Sequence, residues 1–136
     1  HDIMPTFAEL IGIKPPKQTD GISFLPTLYG KKQIDHEYIN WEFQLSGWFQ
    51  ELPNGGFRQS TRFNDWKAVR YGLDSDIELY DLRNDVSETK NLANQYPEII
   101  SKVENIFRHS RTEAKGFPYG GVIQNHKSLD RIGKIK

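Results

Sequence analysis

The sequence of 136 residues contains no cysteine, which excludes disulfides, zinc-thiolate sites and thiol nucleophiles together. Nor does it carry an excess of either charge: Lys plus Arg and Asp plus Glu both number 18. A bulk electrostatic attraction to nucleic acid or to an anionic membrane therefore has no source, and any anion binding must be local. No apolar run approaches the ~20 residues of a membrane span, and no basic-then-apolar leader opens the chain. Internal repeats and low-complexity tracts are also lacking. The chain begins at His1, directly on what reads as the start of a helix, and so abrupt an opening reads as a cut. What remains is a length that suits one domain and can bury roughly 67% of the unfolded chain's surface.

Asp2 is placed to cap a short helix whose first turn tolerates Pro5. Ile3, Met4, Phe7, Ala8, Leu10 and Ile11 fall within about 160° of its circumference at ~100° per residue, and Gly12 is a natural stop. So broad an apolar arc on so short a helix wants partners. A proline-containing loop (Ile13 to Asp20) and one helical turn (Ser23 to Leu28) follow. Four strands are then expected. Glu37 to Phe43 alternates Ile39, Trp41 and Phe43 against Tyr38, Asn40 and Glu42, a strand with one apolar face. Phe57 to Arg62 and Trp66 to Tyr71 form a hairpin through Phe63, Asn64 and Asp65, and Ile77 to Leu82 comes after the turn Leu73 to Asp76. Pro97 opens the best helix, with Ile99, Ile100, Val103, Ile106, Phe107, Ser110 and Ala114 on one face and Gly116 as its end. That helix is expected to cover the sheet. The fold class is therefore α+β, a small antiparallel sheet of about four strands packed against one long C-terminal helix and preceded by a short N-terminal helix.

The order of short signatures identifies a parent. Asp2-Ile3-Met4-Pro5-Thr6 leads to Leu10-Ile11-Gly12-Ile13, and Asp20-Gly21-Ile22-Ser23-Phe24-Leu25-Pro26 follows with Leu28 and Gly30. His36 to Phe43 ends in Trp41-Glu42-Phe43; Gln59 to Arg62, Asp65 to Arg70 and Glu78-Leu79-Tyr80-Asp81-Leu82 come next. Glu88, Asn91-Leu92-Ala93 and Pro97-Glu98 complete the series, over roughly residues 1 to 110. The series resembles the C-terminal portion of sulfatases, in the alkaline-phosphatase-like superfamily. The resemblance divides the chain into residues 1–35, a helix and linker left from the end of the catalytic domain; 36–116, the C-terminal subdomain of sheet plus helix; and 117–136, an irregular tail.

The resemblance implies a formylglycine, made from Cys or Ser in a C/S-x-P-x-R motif, and a calcium ion held by Asp and Asn in the intact enzyme. A hard cation of that kind needs several oxygen ligands and would neutralise and position the sulfate. Neither is expected in this chain. It has no Cys, no Ser with Pro two residues on and Arg two beyond that, and no paired-Asp cluster. No catalytic or metal-binding residue is carried over, and the chain alone should not hydrolyse sulfate esters. The implied partners are the N-terminal catalytic domain and a sulfated carbohydrate, and the implied setting is extracytoplasmic: periplasmic, secreted or lysosomal.

Five residues are candidate substrate contacts, each beside a plainer role. His36 could reach a sulfate or a sugar hydroxyl, or be a solvated strand-end histidine. Glu42, opposite in sense to Trp41 and Phe43, could bind sugar hydroxyls or pair across strands with Arg62 or Arg70. Trp48, with Phe49 in the long connection from Gln44 to Gly56, could stack on a sugar or cap the sheet. Arg58 and Arg62, with Lys67 and Arg70, could grip a sulfate or pair with Asp65, Asp81 and Glu78. Three functions compete: a sulfatase subdomain supporting the catalytic domain, a stand-alone glycan-binding module using Trp48, Phe49, Arg58 and Arg62, and an association domain that dimerises through the first helix.

Overall fold

The computed structural model describes residues 1–44, 56–115 and 119–120. Trp48 and Phe49 lie outside the described residues. The chain forms two units, His1–Glu37 and Tyr38–Lys136.

The first unit holds α1 (Ile3–Leu10) and the single-turn α2 (Leu25–Leu28). Gly12, at φ +75°, closes α1, and the Ile13 and Gly12 N–H groups donate to the carbonyls of Ala8 and Glu9, a left-handed stop that suits glycine. The small side of the helix is the buried one: Pro5, Thr6 and Ala8 are covered, while Ile3, Met4, Phe7, Leu10 and Ile11 are all more than half exposed. Thr6 ties the two helices together. Its hydroxyl donates to the Asp2 carbonyl at 2.7 Å and accepts the Phe24 N–H at 3.0 Å. Asp2 begins α1 without capping it; its carboxylate is used elsewhere.

The second unit is a meander, β1 (Ile39–Gln44), β2 (Phe57–Phe63), β3 (Trp66–Arg70) and β4 (Ile77–Asp81), antiparallel in that order. Phe63 pairs with Trp66 across a two-residue turn in which Asn64 takes φ +49°, a conformation asparagine tolerates. After β4 the backbone returns along its edge: the Leu92 N–H donates to the Leu79 carbonyl, and Asn91 Oδ1 accepts the N–H groups of Leu79 and Ala93. Leu92 itself is half-buried, so backbone and the Asn91 amide anchor this segment more than the leucine side chain does. A 3₁₀ turn, Ala93–Gln95, leads to α3 (Pro97–His109). This helix stops at His109, seven residues before Gly116. Val103, Ile106 and Phe107 of α3 close over Phe63, Ala68, Ile77 and Leu79.

The β1 pattern is used in the opposite sense from the one its apolar alternation predicts. Trp41 and Phe43 are 49% and 55% exposed, while Asn40, Glu42 and Gln44 lie on the α3 side with Gln59 and Thr61. The reason is local. The core under α3 is built on β2, β3 and β4, and along β1 that same side is filled by polar side chains, with Glu42 bonded to Gln59 and Arg111.

Candidate functional site

In the first unit, His36 Nε2 lies 2.9 and 3.0 Å from the two oxygens of Asp2, and Asp2 Oδ1 also accepts the Ile22 N–H at 2.9 Å. His1 Nε2 stands 3.5 Å from the same Oδ1, with its ring edge-on to His36 at 5.2 Å. Gly21 makes this possible, since a Cβ there would collide with the His1 carbonyl. Burial alone would raise the Asp2 carboxyl, but the Ile22 N–H, the His36 hydrogen bond and charge, and the terminal ammonium together hold it below the usual carboxylate range. His36 is thus a half-buried partner of Asp2 rather than a solvated histidine.

In the second unit, Glu42 sits inside a polar network. Gln59, directly opposite on β2, donates its Nε2 to Glu42 at 2.7 Å. Arg70 Nε donates to Gln59 Oε1 at 3.0 Å, and a second Arg70 nitrogen reaches the same oxygen and the Tyr119 hydroxyl. Arg111 closes the network on Glu42 and also pairs with Glu113. Glu42 is fully engaged by protein groups. The structure joins it to Arg70 through Gln59, and its direct guanidinium partner is Arg111, which no cross-strand argument reaches because it follows α3.

Arg58 and Arg62 lie on the other side of the sheet, on either diagonal of Trp41, whose direct neighbour on β2 is the small Ser60. Arg62 is exposed. The Arg58 guanidinium stacks on Tyr71 at 5.2 Å and donates to the Phe57 carbonyl at 2.7 Å. Lys67 is paired with Glu88 at 2.6 Å, and Arg83 pairs with Asp65 at 2.5 Å. The structure thus places His36 with Asp2, Glu42 under α3, and Arg58 and Arg62 together on the outer face. Neither His1 as a ligand-type residue nor Asp2 beyond its place at the helix start is legible in the sequence, because their adjacency ahead of a histidine 34 residues on gives no spacing signal.

The calcium implied by the resemblance finds no matching donor set among the described residues. Their one convergent group of His, Asp or Glu is His1, Asp2 and His36, and two imidazoles with one carboxylate are not the oxygen cage that calcium takes. No reaction step is assigned to this chain through calcium or formylglycine.

Residues 1–113 match the family described as N-sulphoglucosamine sulphohydrolase, C-terminal. The chain is 34% identical over 104 residues to a Delta 4,5-hexuronate-2-O-sulfatase of Bacteroides thetaiotaomicron, covering 74% of this chain and 21% of that protein. It is 29% identical over 128 residues to human arylsulfatase K, covering 87% and 23%. The fold superposes on a solved 2-O GAG sulfatase with a TM-score of 0.67 at 30% identity, covering 80% of this chain and 23% of that one. The chain thus spans about a fifth of the length of the relatives it matches. With a four-stranded antiparallel sheet under a C-terminal helix and a matching run that starts at His1, the chain belongs to the sulfatase family, as its C-terminal portion.

Proposed function

We propose that this chain is the C-terminal subdomain of a sulfuric ester hydrolase acting on sulfated glycans outside the cytoplasm, where it supports a catalytic portion that carries formylglycine and calcium and lends residues to the substrate pocket. The observation that carries the reading is the apolar side of α1. Ile3, Met4, Phe7, Leu10 and Ile11 leave most of their surface to water, a contiguous patch of the kind that marks an interaction site. A catalytic portion supplying the other four-fifths of the relatives' length is the partner this patch calls for. No helix among the described residues is long and apolar enough to cross a membrane.

Within this reading, residues 1–35 are the end of the catalytic domain, 36–116 the subdomain and 117–136 a tail. Of the candidate contacts, Arg62 is the exposed one, with the half-buried Arg58 on the same face of the sheet, and a guanidinium suits a sulfate oxyanion. Glu42 and His36 serve mainly to hold neighbouring chain in place, and Trp48 is a further candidate. The test is complementation. A polypeptide carrying the nucleophile motif and upstream sequence of the parent enzyme is assayed for sulfate release with and without this chain. Turnover should require it and fall sharply with Phe7→Asp or Leu10→Asp. Turnover that is indifferent to the chain removes the reading, and saturable glycan binding by the chain alone would favour a stand-alone module.

A further inference from the structure

Three donor atoms converge at the start of α1: an imidazole nitrogen of His1, a carboxylate oxygen of Asp2 and an imidazole nitrogen of His36, all within 4.8 Å of one another. Four ligands at ~2.0–2.1 Å around a tetrahedral zinc are separated by about 3.3 Å. The observed separations from Asp2 Oδ1, 2.9 Å to His36 Nε2 and 3.5 Å to His1 Nε2, bracket that edge length. The carboxylate is already fixed by the Ile22 N–H, so ligand orientation does not depend on the cation. Gly21 holds the His1 backbone close, which limits how far the first imidazole can swing. The His1 ring is 45% exposed and Asp2 and His36 are partly exposed, leaving a path from solvent.

We propose that His1, Asp2 and His36 bind a borderline divalent cation of the zinc class, with water in the fourth position. Two imidazoles and a carboxylate select zinc-like ions over calcium or magnesium. On binding, His36 presents its Nε2 lone pair to the ion, so the Nε2 proton passes to Nδ1 or, from a protonated ring, to solvent. The His36 hydrogen bond to Asp2 is replaced by one bond from each residue to the metal. The ion ties the start of α1 to the residue-36 end of the same unit. This proposal does not rest on the sulfatase reading, and it concerns an ion distinct from that family's calcium.

The test titrates the chain with zinc chloride by calorimetry and with cobalt chloride by visible absorption. One equivalent should bind, with the absorption of a tetrahedral cobalt centre, and His36→Ala and Asp2→Asn should each weaken binding by at least about tenfold. His109→Ala should bind as the parent chain does. A form lengthened by two residues ahead of His1, which moves the terminal amine away, should retain the site. In the unsubstituted chain the His1 and His36 ring resonances should shift on zinc addition while those of His109 stay, a readout independent of whether the variants fold. No uptake, uptake unchanged in His36→Ala, loss on lengthening, or unshifted His36 resonances would each overturn the proposal.

Discussion

The Arg111 guanidinium donates to Glu42 Oε2 at 2.8 Å, and both side chains are more than nine-tenths buried. Burial alone would lower the Arg111 pKa, but the hydrogen bonds and charges of Glu113 and Glu42 hold it above its ordinary value. The pair links β1 to the segment after α3, so it fastens both ends of the second unit's described chain. A buried pair of this kind gives little net stability over an apolar substitute, but breaking it strands a charge.

Glu42→Ala should therefore destabilise the chain by about 3–5 kcal/mol, and Arg111→Ala by a similar amount. The double replacement Glu42→Met with Arg111→Met should cost much less than the two singles added together. Urea denaturation reads this as a lower midpoint at an unchanged slope. Single variants within about 1 kcal/mol of the parent would show that water replaces the pair without penalty.

Much of this fold is legible in the sequence because local signals and core packing agree. Asn64-Asp65 marks the β2–β3 turn, Pro97 opens α3, and Val103, Ile106 and Phe107 fall on one face and are buried together. One element reads in the wrong sense. In β1 the period of two is real, but alternation does not say which side meets the helix, and Arg111, the residue that makes the polar side the inner one, is 69 positions away. In α1 the arc of large apolar residues is real too, and it stands open, in keeping with an arc that wants partners. The apolar period runs past the end of α3, since Ala114 continues it, whereas Ser110 already sits outside the helix as its C-cap. Of the candidate site, the residue types were legible and their groupings were not, since His36 meets Asp2 by tertiary contact alone.

The inversion of β1 makes a paired forecast. Trp41→Ser removes a large aromatic from a half-exposed position and should cost under about 1 kcal/mol in this chain, within the range of surface substitutions. Phe107→Ala empties a fully buried site against Leu79 and Val103 and should cost about 3–5 kcal/mol. Equal costs in a urea series would mean that Trp41 is covered in solution.

Acid should loosen the loop between β4 and the 3₁₀ turn. The Asp85 carboxylate accepts the N–H groups of Thr89 and Lys90, each at 2.8 Å, which hold its pKa below the ordinary 3.8. A carboxyl with a depressed folded pKa contributes stability that is complete above the unfolded value and is lost as pH falls through the folded one. Amide exchange of Thr89 and Lys90, corrected for intrinsic pH dependence, should lose protection below about pH 3.8. Asp85→Asn should flatten that loss, and protection that declines equally in both proteins would assign it to global unfolding instead.

Alkali should act on the other surface of the sheet. Tyr80 is pushed up to about 12, first by burial and then by its hydrogen bond to Glu78, with the charges of Glu78, Tyr71 and Glu88 adding to it. The phenol donates to Glu78 Oε2 at 2.8 Å, so ionisation both breaks that bond and sets a phenolate beside a carboxylate. A group whose folded pKa is raised contributes stability that is present below the unfolded value, near 10.0, and is lost as pH climbs through the folded one. Phenolate absorbance should show one late-titrating tyrosine that disappears in Tyr80→Phe. In Glu78→Gln the late step should move down, because the amide can accept the phenol proton but carries no charge to oppose the phenolate. The same substitution should make the fall in stability above pH 10 shallower. A late step that stays in place in Glu78→Gln would leave burial, with the charges of Tyr71 and Glu88, as its cause.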